Sequence, residues 1–172
     1  MSVVNNTRIS CDDVFKADLL KDTIFDGPME IPRILAVDSI PHKLIPFSKA
    51  PYATELDQWV HFYEQDLVFE CVWHNPHRYL SVLQKFEGVI SPDFSLYRDM
   101  PFAMQVWNKY RCHALGHYFQ SNGIKVIPNV RFGDERSYPL CCQGVPKRSI
   151  IAVGSHGQVK VKRNREYFIG RY

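Results

Sequence analysis

Short apolar segments alternate with amphipathic segments along this sequence, roughly every 25–35 residues, as they do in βα units. Strands are predicted at 31–38, 67–73, 88–93, 124–130 and 149–153. Helices are predicted at 55–65, 76–86, 101–121 and 136–143. The alternation predicts an α/β fold with a mostly parallel sheet of about five strands, either barrel-like and incomplete or open and doubly wound.

The length of 172 residues excludes a complete eight-fold βα barrel, which needs about 250 residues. Residues 1–30 are weakly periodic and end in turn residues, so they are predicted to form a separate N-terminal segment. Residues 31–172 are predicted to form one α/β domain. Because 45% of the residues are apolar and 23% are charged, the composition is that of a globular protein rather than a disordered one.

Charge is unevenly distributed along the chain. Residues 145–172 carry seven basic residues and one acidic residue, whereas the rest of the chain has a net charge of −3. This basic C-terminal end includes Lys160, Lys162, Arg163 and Arg165, followed by aromatic residues. Such a mixture favours contact with nucleic acid or an acidic partner, although a solvated tail or an ordinary exposed strand has the same pattern.

The sequence also predicts the compartment and the absence of a cofactor. It has no run of 18 apolar residues, and residues 1–13 lack the apolar core of a secretory signal, so neither membrane insertion nor export is expected. The five cysteines have no framework spacing and are expected to be reduced thiols in a cytosol. Because phosphate-binding and dinucleotide-binding loops are missing, no cofactor is predicted.

Polar residues follow the predicted strands, where parallel α/β sheets place their ligand sites. They are Asp38, His74, Asn75, Ser91, Asp93, Ser95, Asn129, Arg131, Asp134, Ser155 and His156. Asp93 is a candidate base or hydroxyl acceptor, or alternatively the residue that closes an Asx-turn. Arg131 is a candidate clamp for a phosphate or carboxylate, or alternatively the internal ion-pair partner of Asp93 or Asp134.

Histidines and cysteines form weak candidate metal sites. His113 and His117 lie four residues apart on one helix face, and Cys71 and His74 form a second group. These intervals match no zinc finger or ribbon, and no glutamate accompanies the histidine pair. The sequence therefore predicts no metal site.

Four motifs together resemble one family. They are Asn75-Pro-x-x-Tyr-Leu80, Ser91-Pro-Asp-Phe-Ser95, Gln105-x-Trp-Asn-x-Tyr-Arg111 and Val126-Ile-Pro-Asn-Val130. Their order and spacing resemble a family carried by bacteria, phages and mobile elements, known as a domain of unknown function, DUF4417. The resemblance covers roughly residues 30–170, and the chain departs from the family pattern at Phe132, where a tryptophan is usual.

The resemblance implies a parallel α/β fold and the cytoplasm of a bacterial host, but no activity. Residues that match the family's motifs are Asp93, Ser95, Asn108, Arg111, Asn129 and Arg131. Among the candidate site residues, we assign Asp93, Ser95 and Asn129 as catalytic and Asn108, Arg111, Arg131 and Asp134 as ligand-binding. Similar chains continue past Gly170 with a further helix and strand, so we expect either that this unit is absent here or that another chain, such as a second copy in a homo-oligomer, supplies it.

Three functions follow as hypotheses. The phage context favours an interaction protein that binds a host protein, for instance to inhibit a defence factor. The second hypothesis is a small enzyme or binding domain for a phosphorylated or nucleotide-like ligand at the carboxyl edge of the strands. The third is a nucleic-acid-binding accessory factor that uses the basic C-terminal end.

Overall fold

A computed structural model of the chain describes residues 16–154. Four short strands form an open parallel sheet in the order β3-β4-β5-β6, with β3 at Leu44–Pro46, β4 at Trp59–His61, β5 at Gly88–Ile90 and β6 at Val126–Ile127. Val89 lies opposite Val60 on one side and Val126 on the other, and all three are fully buried. The predicted open α/β fold is confirmed, and the sheet does not close into a barrel within the described residues.

The helices pack around this sheet. They are α1 (Asp66–His74), α2 (Pro76–Leu83), α3 (Phe102–Ser121) and α4 (Tyr138–Cys141), with 3₁₀ turns at Ala17–Leu20, Phe47–Tyr52 and Glu135–Ser137. The predicted helices at 76–86 and 101–121 are confirmed. Asn75 caps α2 by accepting a hydrogen bond from the backbone N–H of Arg78, as its position before Pro76 predicts.

The assignments for residues 55–73 were wrong in two places. The predicted strand at 67–73 is helix α1, in which Phe69, Val72 and Trp73 are buried at the three- and four-residue spacing of a helix face. The predicted helix at 55–65 contains strand β4 instead. Val60 and Phe62 are fully buried while His61 and Tyr63 are not, and this two-residue alternation is that of a strand.

Two further assignments need correction. Of the predicted strand at 31–38, only Ile31–Pro32 is extended (β2), and it pairs antiparallel with Phe25–Asp26 (β1) outside the parallel sheet. The predicted fifth strand is reduced to one parallel bridge between Asn129 and Ala152. Strand β3 ends at Pro46, which is possible because an edge strand tolerates proline.

Aromatic rings fill the space between the sheet and the helices. Phe62 follows β4 and contacts Phe69 of α1 at a ring-centroid distance of 5.5 Å. Phe69 contacts Phe94 at 5.0 Å. These side chains fix the segment 91–96, whose residues are all buried, along the carboxyl ends of the strands. None of the helices in the described part of the chain is long and apolar enough to cross a membrane.

Candidate functional site

The carboxyl ends of β4, β5 and β6 meet at one edge of the sheet, which we call the carboxyl edge. His61 and Tyr63 come from the end of β4, Asp93 from the segment after β5, and Asn129 and Arg131 from the segment after β6. Parallel pairing in register brings these three chain segments together. The structure thus unites Asp93, Asn129 and Arg131, as the strand-end rule predicts.

Asp93 is at the centre of this group and is only 4% exposed. Its Oδ1 accepts a hydrogen bond from Asn129 Nδ2 at 2.6 Å, and its Oδ2 forms an ion pair with Arg131 NH1. Burial raises the pKa of the Asp93 carboxyl to about 6, against the opposing effect of the Arg131 charge. Because both oxygens are engaged and buried, Asp93 positions Asn129 and Arg131 and does not reach solvent as a base would have to.

Asn129 is held on three sides. Its backbone N–H donates to Ser91 Oγ at 2.8 Å, and its side-chain Oδ1 accepts from the Tyr63 hydroxyl at 3.1 Å. Its Nδ2 donates to Asp93, which fixes the orientation of the amide. A chain of hydrogen bonds therefore runs from Tyr63 through Asn129 to Asp93, and its members orient one another.

Arg131 is a partly accessible basic member of the group, with 18% of its side chain exposed. Only NH1 has a hydrogen-bond partner among the described residues, and the buried Nε has none. An unsatisfied buried donor in a native structure commonly marks the place of a water or an ion. The guanidinium thus keeps donor capacity that Asp93 does not use.

His61 and Tyr63 belong to this site but were missed by the sequence analysis. Their rings stack at 5.4 Å, and His61 Nδ1 accepts the backbone N–H of Tyr63 at 3.2 Å, which leaves Nε2 as the protonated nitrogen of the neutral ring. Burial lowers the pKa of His61, opposed by Glu64. The signal that would have found both residues is the alternation described above, which the helix assignment for 55–65 obscured.

Ser95, Asn108 and Arg111 form a second, adjacent cluster. Ser95 donates from its backbone N–H and its hydroxyl to Asp66, and Asn108 Nδ2 donates to the Ser95 carbonyl at 2.7 Å. Arg111 bridges Asn108 Oδ1 and Glu70 Oε1, each at 2.6 Å, with its guanidinium 3.8 Å from the centre of the Phe94 ring. Since Ser95, Asn108 and Arg111 are all at least 92% buried, the cluster joins α1 to α3.

Asp134 lies outside this centre. It caps the following 3₁₀ turn, accepts from Gln105 Nε2 at 3.0 Å and pairs with Arg136, which lowers its pKa to about 2. Asp134 is therefore engaged locally, and Arg131 pairs with Asp93 rather than with Asp134.

The weak metal candidates are separated, and residues 16–154 contain no group of three potential ligands. His113 Nδ1 donates to the Pro32 carbonyl at 2.9 Å, whereas His117 contacts the Lys21 carbonyl. His74 ends helix α1 rather than a strand. The basic residues Lys160, Lys162, Arg163 and Arg165 lie outside the described residues, as do Ser155 and His156.

Known proteins similar to this chain come from mycobacteriophages. The Gene 1 protein of Mycobacterium phage L5 is 34% identical over 142 residues, covering 81% of this chain and 62% of the relative. The Gene 1 protein of Mycobacterium phage D29 is 36% identical over 131 residues, covering 74% of this chain and 48% of the relative. The chain thus spans between about half and three-fifths of the length of these relatives.

No solved structure matches this chain. The family assignment depends on sequence. Of the motifs that carry the resemblance, 91–95 and 126–130 lie in two of the three segments of the carboxyl edge, and 105–111 supplies Asn108 and Arg111 of the neighbouring cluster. A family model covers residues 23–172, most of the described fold included. The chain belongs to the phage-associated family described as Domain of unknown function (DUF4417).

Proposed function

We propose that this phage-family protein binds a small anionic ligand, phosphate-like or nucleotide-like, at the carboxyl edge, with Arg131 as the anion contact. The observation that carries the proposal is the partly exposed guanidinium of Arg131, which is fixed through NH1 by buried Asp93, while its NH2 has no hydrogen-bond partner among the described residues. Arginine contacts phosphate through two parallel N–H donors, so a guanidinium with unused donors suits this ligand.

His61 supports the same proposal from the neighbouring strand. Its Nδ1 is occupied by the backbone, so the Nε2–H is the remaining donor of the neutral ring. A neutral donor at the same sheet edge as a cation favours an anion without adding a second buried charge. Asp93 and Asn129 act as positioning residues in this arrangement, and they fix Arg131 and the Tyr63 hydroxyl before a ligand arrives.

Isothermal titration with inorganic phosphate, nucleoside monophosphates and nucleoside triphosphates tests this proposal. We expect saturable binding to the wild type and a loss of about tenfold or more in Arg131→Lys, which keeps a cation beside Asp93 but lacks the planar fork. Arg33→Gln removes another partly exposed arginine that also pairs with a carboxylate, and it is the matched control. Saturable binding that is equal in all three proteins, or no binding to the wild type, would refute the proposal.

A second candidate function is protein–protein binding that blocks a host defence factor in the bacterial cytoplasm. It is favoured by exposed apolar side chains at the N-terminal ends of α1 and α3: Leu67 is 87% exposed, Met104 51% and Trp107 43%. The ion pair between Glu70 and Arg111, one turn beyond these residues, holds the two helices together. Contiguous exposed apolar groups commonly mark interaction surfaces, so this candidate requires these side chains to act together.

Phage infection tests this second candidate. We expect a plasmid-borne wild-type chain to raise plating efficiency on hosts that carry the relevant defence system, and Leu67→Glu/Met104→Glu to abolish the gain. Tyr52→Glu changes an exposed aromatic residue on a different element and is the control. Equal protection by the wild type and the double variant would contradict a role of this surface. Salt-sensitive binding to oligonucleotides would favour the nucleic-acid hypothesis instead.

A further inference from the structure

Two adjacent thiols, Cys141 and Cys142, lie at the end of α4. The sulfur atoms of Cys141 and Cys142 are 3.6 Å apart, and Cys142 is exposed while Cys141 is half-buried. Cys141 Sγ also donates to the Tyr138 carbonyl at 3.1 Å, which holds it beside its neighbour. The two sulfurs are thus close enough to react with the same small molecule.

The backbone at this pair is connected to a buried charge. The Cys141 carbonyl accepts a hydrogen bond from Lys109 Nζ at 2.8 Å, and Lys109 is only 3% exposed. This carbonyl is the one hydrogen-bond partner that the described residues supply to the Lys109 side chain. Gly144, two residues after Cys142, donates its N–H to Asp26 and accepts the Ile34 N–H at its carbonyl. Movement of the Cys141 peptide would therefore disturb the contact that compensates a buried lysine.

We propose that Cys141 and Cys142 form a redox-sensitive modification site that reacts with low-molecular-weight disulfides to give a reversible vicinal disulfide. In the first step, the exposed Cys142 thiolate attacks the small disulfide and displaces one thiolate. In the second step, the Cys141 sulfur loses its proton and attacks the Cys142 sulfur, displacing the second thiolate. The protein loses two electrons and two protons, and the small disulfide is reduced to two thiols.

Geometry makes the product labile. Consecutive Cα atoms are about 3.8 Å apart, whereas disulfides normally join Cα atoms about 4.4–6.8 Å apart. A disulfide between neighbours is therefore strained and easily reduced, which is typical of regulatory rather than structural bonds. Closing the ring must rotate the Cys141–Cys142 peptide, and the rotation weakens the hydrogen bond from Lys109.

Peptide mass spectrometry after exposure of the full chain to oxidised glutathione tests the proposal. Trypsin releases residues 137–147, which contain both of these cysteines and no other. We expect this peptide to lose the mass of two hydrogen atoms and to regain it with dithiothreitol. Cys141→Ser should instead accumulate one glutathione adduct on Cys142, because the resolving thiol is gone. Recovery of free thiols or of stable glutathione adducts on this peptide in the wild type would overturn the proposal.

A second measurement distinguishes the effect of oxidising Cys141 and Cys142 from the effect of oxidising other cysteines. Oxidation should lower the melting temperature of the wild type but leave that of Cys141→Ser/Cys142→Ser unchanged. Cys71 and Cys112 remain in the double variant and serve as internal controls. An equal fall in both proteins would show that other cysteines cause the effect, and the coupling to Lys109 would then be wrong.

Discussion

Replacing Lys109 by methionine should stabilise the protein at neutral pH. Lys109 is buried in α3 and has no carboxylate partner among residues 16–154, and burial lowers the pKa of its ammonium to about 8. Relative to an ordinary lysine pKa of about 10.4, this shift means that the charge costs the folded state about 3 kcal/mol. The methionine loses the hydrogen bond from the ammonium to the Cys141 carbonyl, which is worth about 1.5–3 kcal/mol because the donor is charged. The expected net gain is about 1 kcal/mol at pH 7.

The pH dependence of this gain distinguishes the buried charge from better packing. Because the folded pKa of Lys109 is lower than the unfolded one, the unfolded state binds more protons between about pH 8 and pH 10.4, and the wild type gains stability as the pH rises. Lys109→Met lacks this gain, so its advantage should shrink across that range and vanish near pH 10. Urea unfolding at pH 7, 9 and 10 measures the difference, with exposed Lys85→Met as the control. An advantage that stays constant with pH, or a variant less stable than wild type at pH 7, would refute the reasoning.

Three further predictions concern stability and are measured by the same unfolding experiments. Gly88→Ala should cost about 1–3 kcal/mol, because a Cβ there would lie 2.5 Å from the ring of Trp59, which is 1% exposed and has no room to move; no loss would show that the ring can shift. Asn75→Ala should cost about 1 kcal/mol through the lost cap of α2, and Asn75→Asp should restore most of it. The raised pKa of Asp93, about 6, means that its contribution to stability falls as the pH rises from about 4 to about 6, and Asp93→Asn should remove that fall.

The fold class could be predicted because apolar and amphipathic segments alternate along the whole chain, and this alternation indicates an α/β fold even where single strands and helices are assigned wrongly. Helix α3 has a proline at its start and Asn122-Gly123 at its end, and both boundaries are readable without a structure. The exchange of strand and helix between 55 and 73 has a physical cause. The apolar run Leu67–Trp73 is too short for its periodicity to distinguish a strand from a helix. In the structure the segment is a helix that buries Phe69, Val72 and Trp73 on one face.

The site could be predicted in part. Asp93, Asn129 and Arg131 follow strands whose type was assigned correctly, so the strand-end rule brought them together. His61 and Tyr63 were missed, since their strand was assigned as a helix. Ser95, Asn108 and Arg111 share the family motifs, yet they connect α1 to α3 through buried hydrogen bonds, and sequence does not distinguish such a tie from a ligand contact.

Burial and the ion pair with Arg131 have opposite effects on the pKa of the Asp93 carboxyl. An ion pair alone would hold the pKa of the Asp93 carboxyl below its ordinary value, but burial is the larger effect and raises it. Keeping a carboxylate at this edge therefore lowers the stability of the folded state. Apolar side chains would link the strands without that loss of stability. What the carboxylate secures is the direction of Arg131 and, through Asn129, of the Tyr63 hydroxyl. A carboxylate that orients a guanidinium at a sheet edge, at a cost in stability, is the arrangement expected of a binding site.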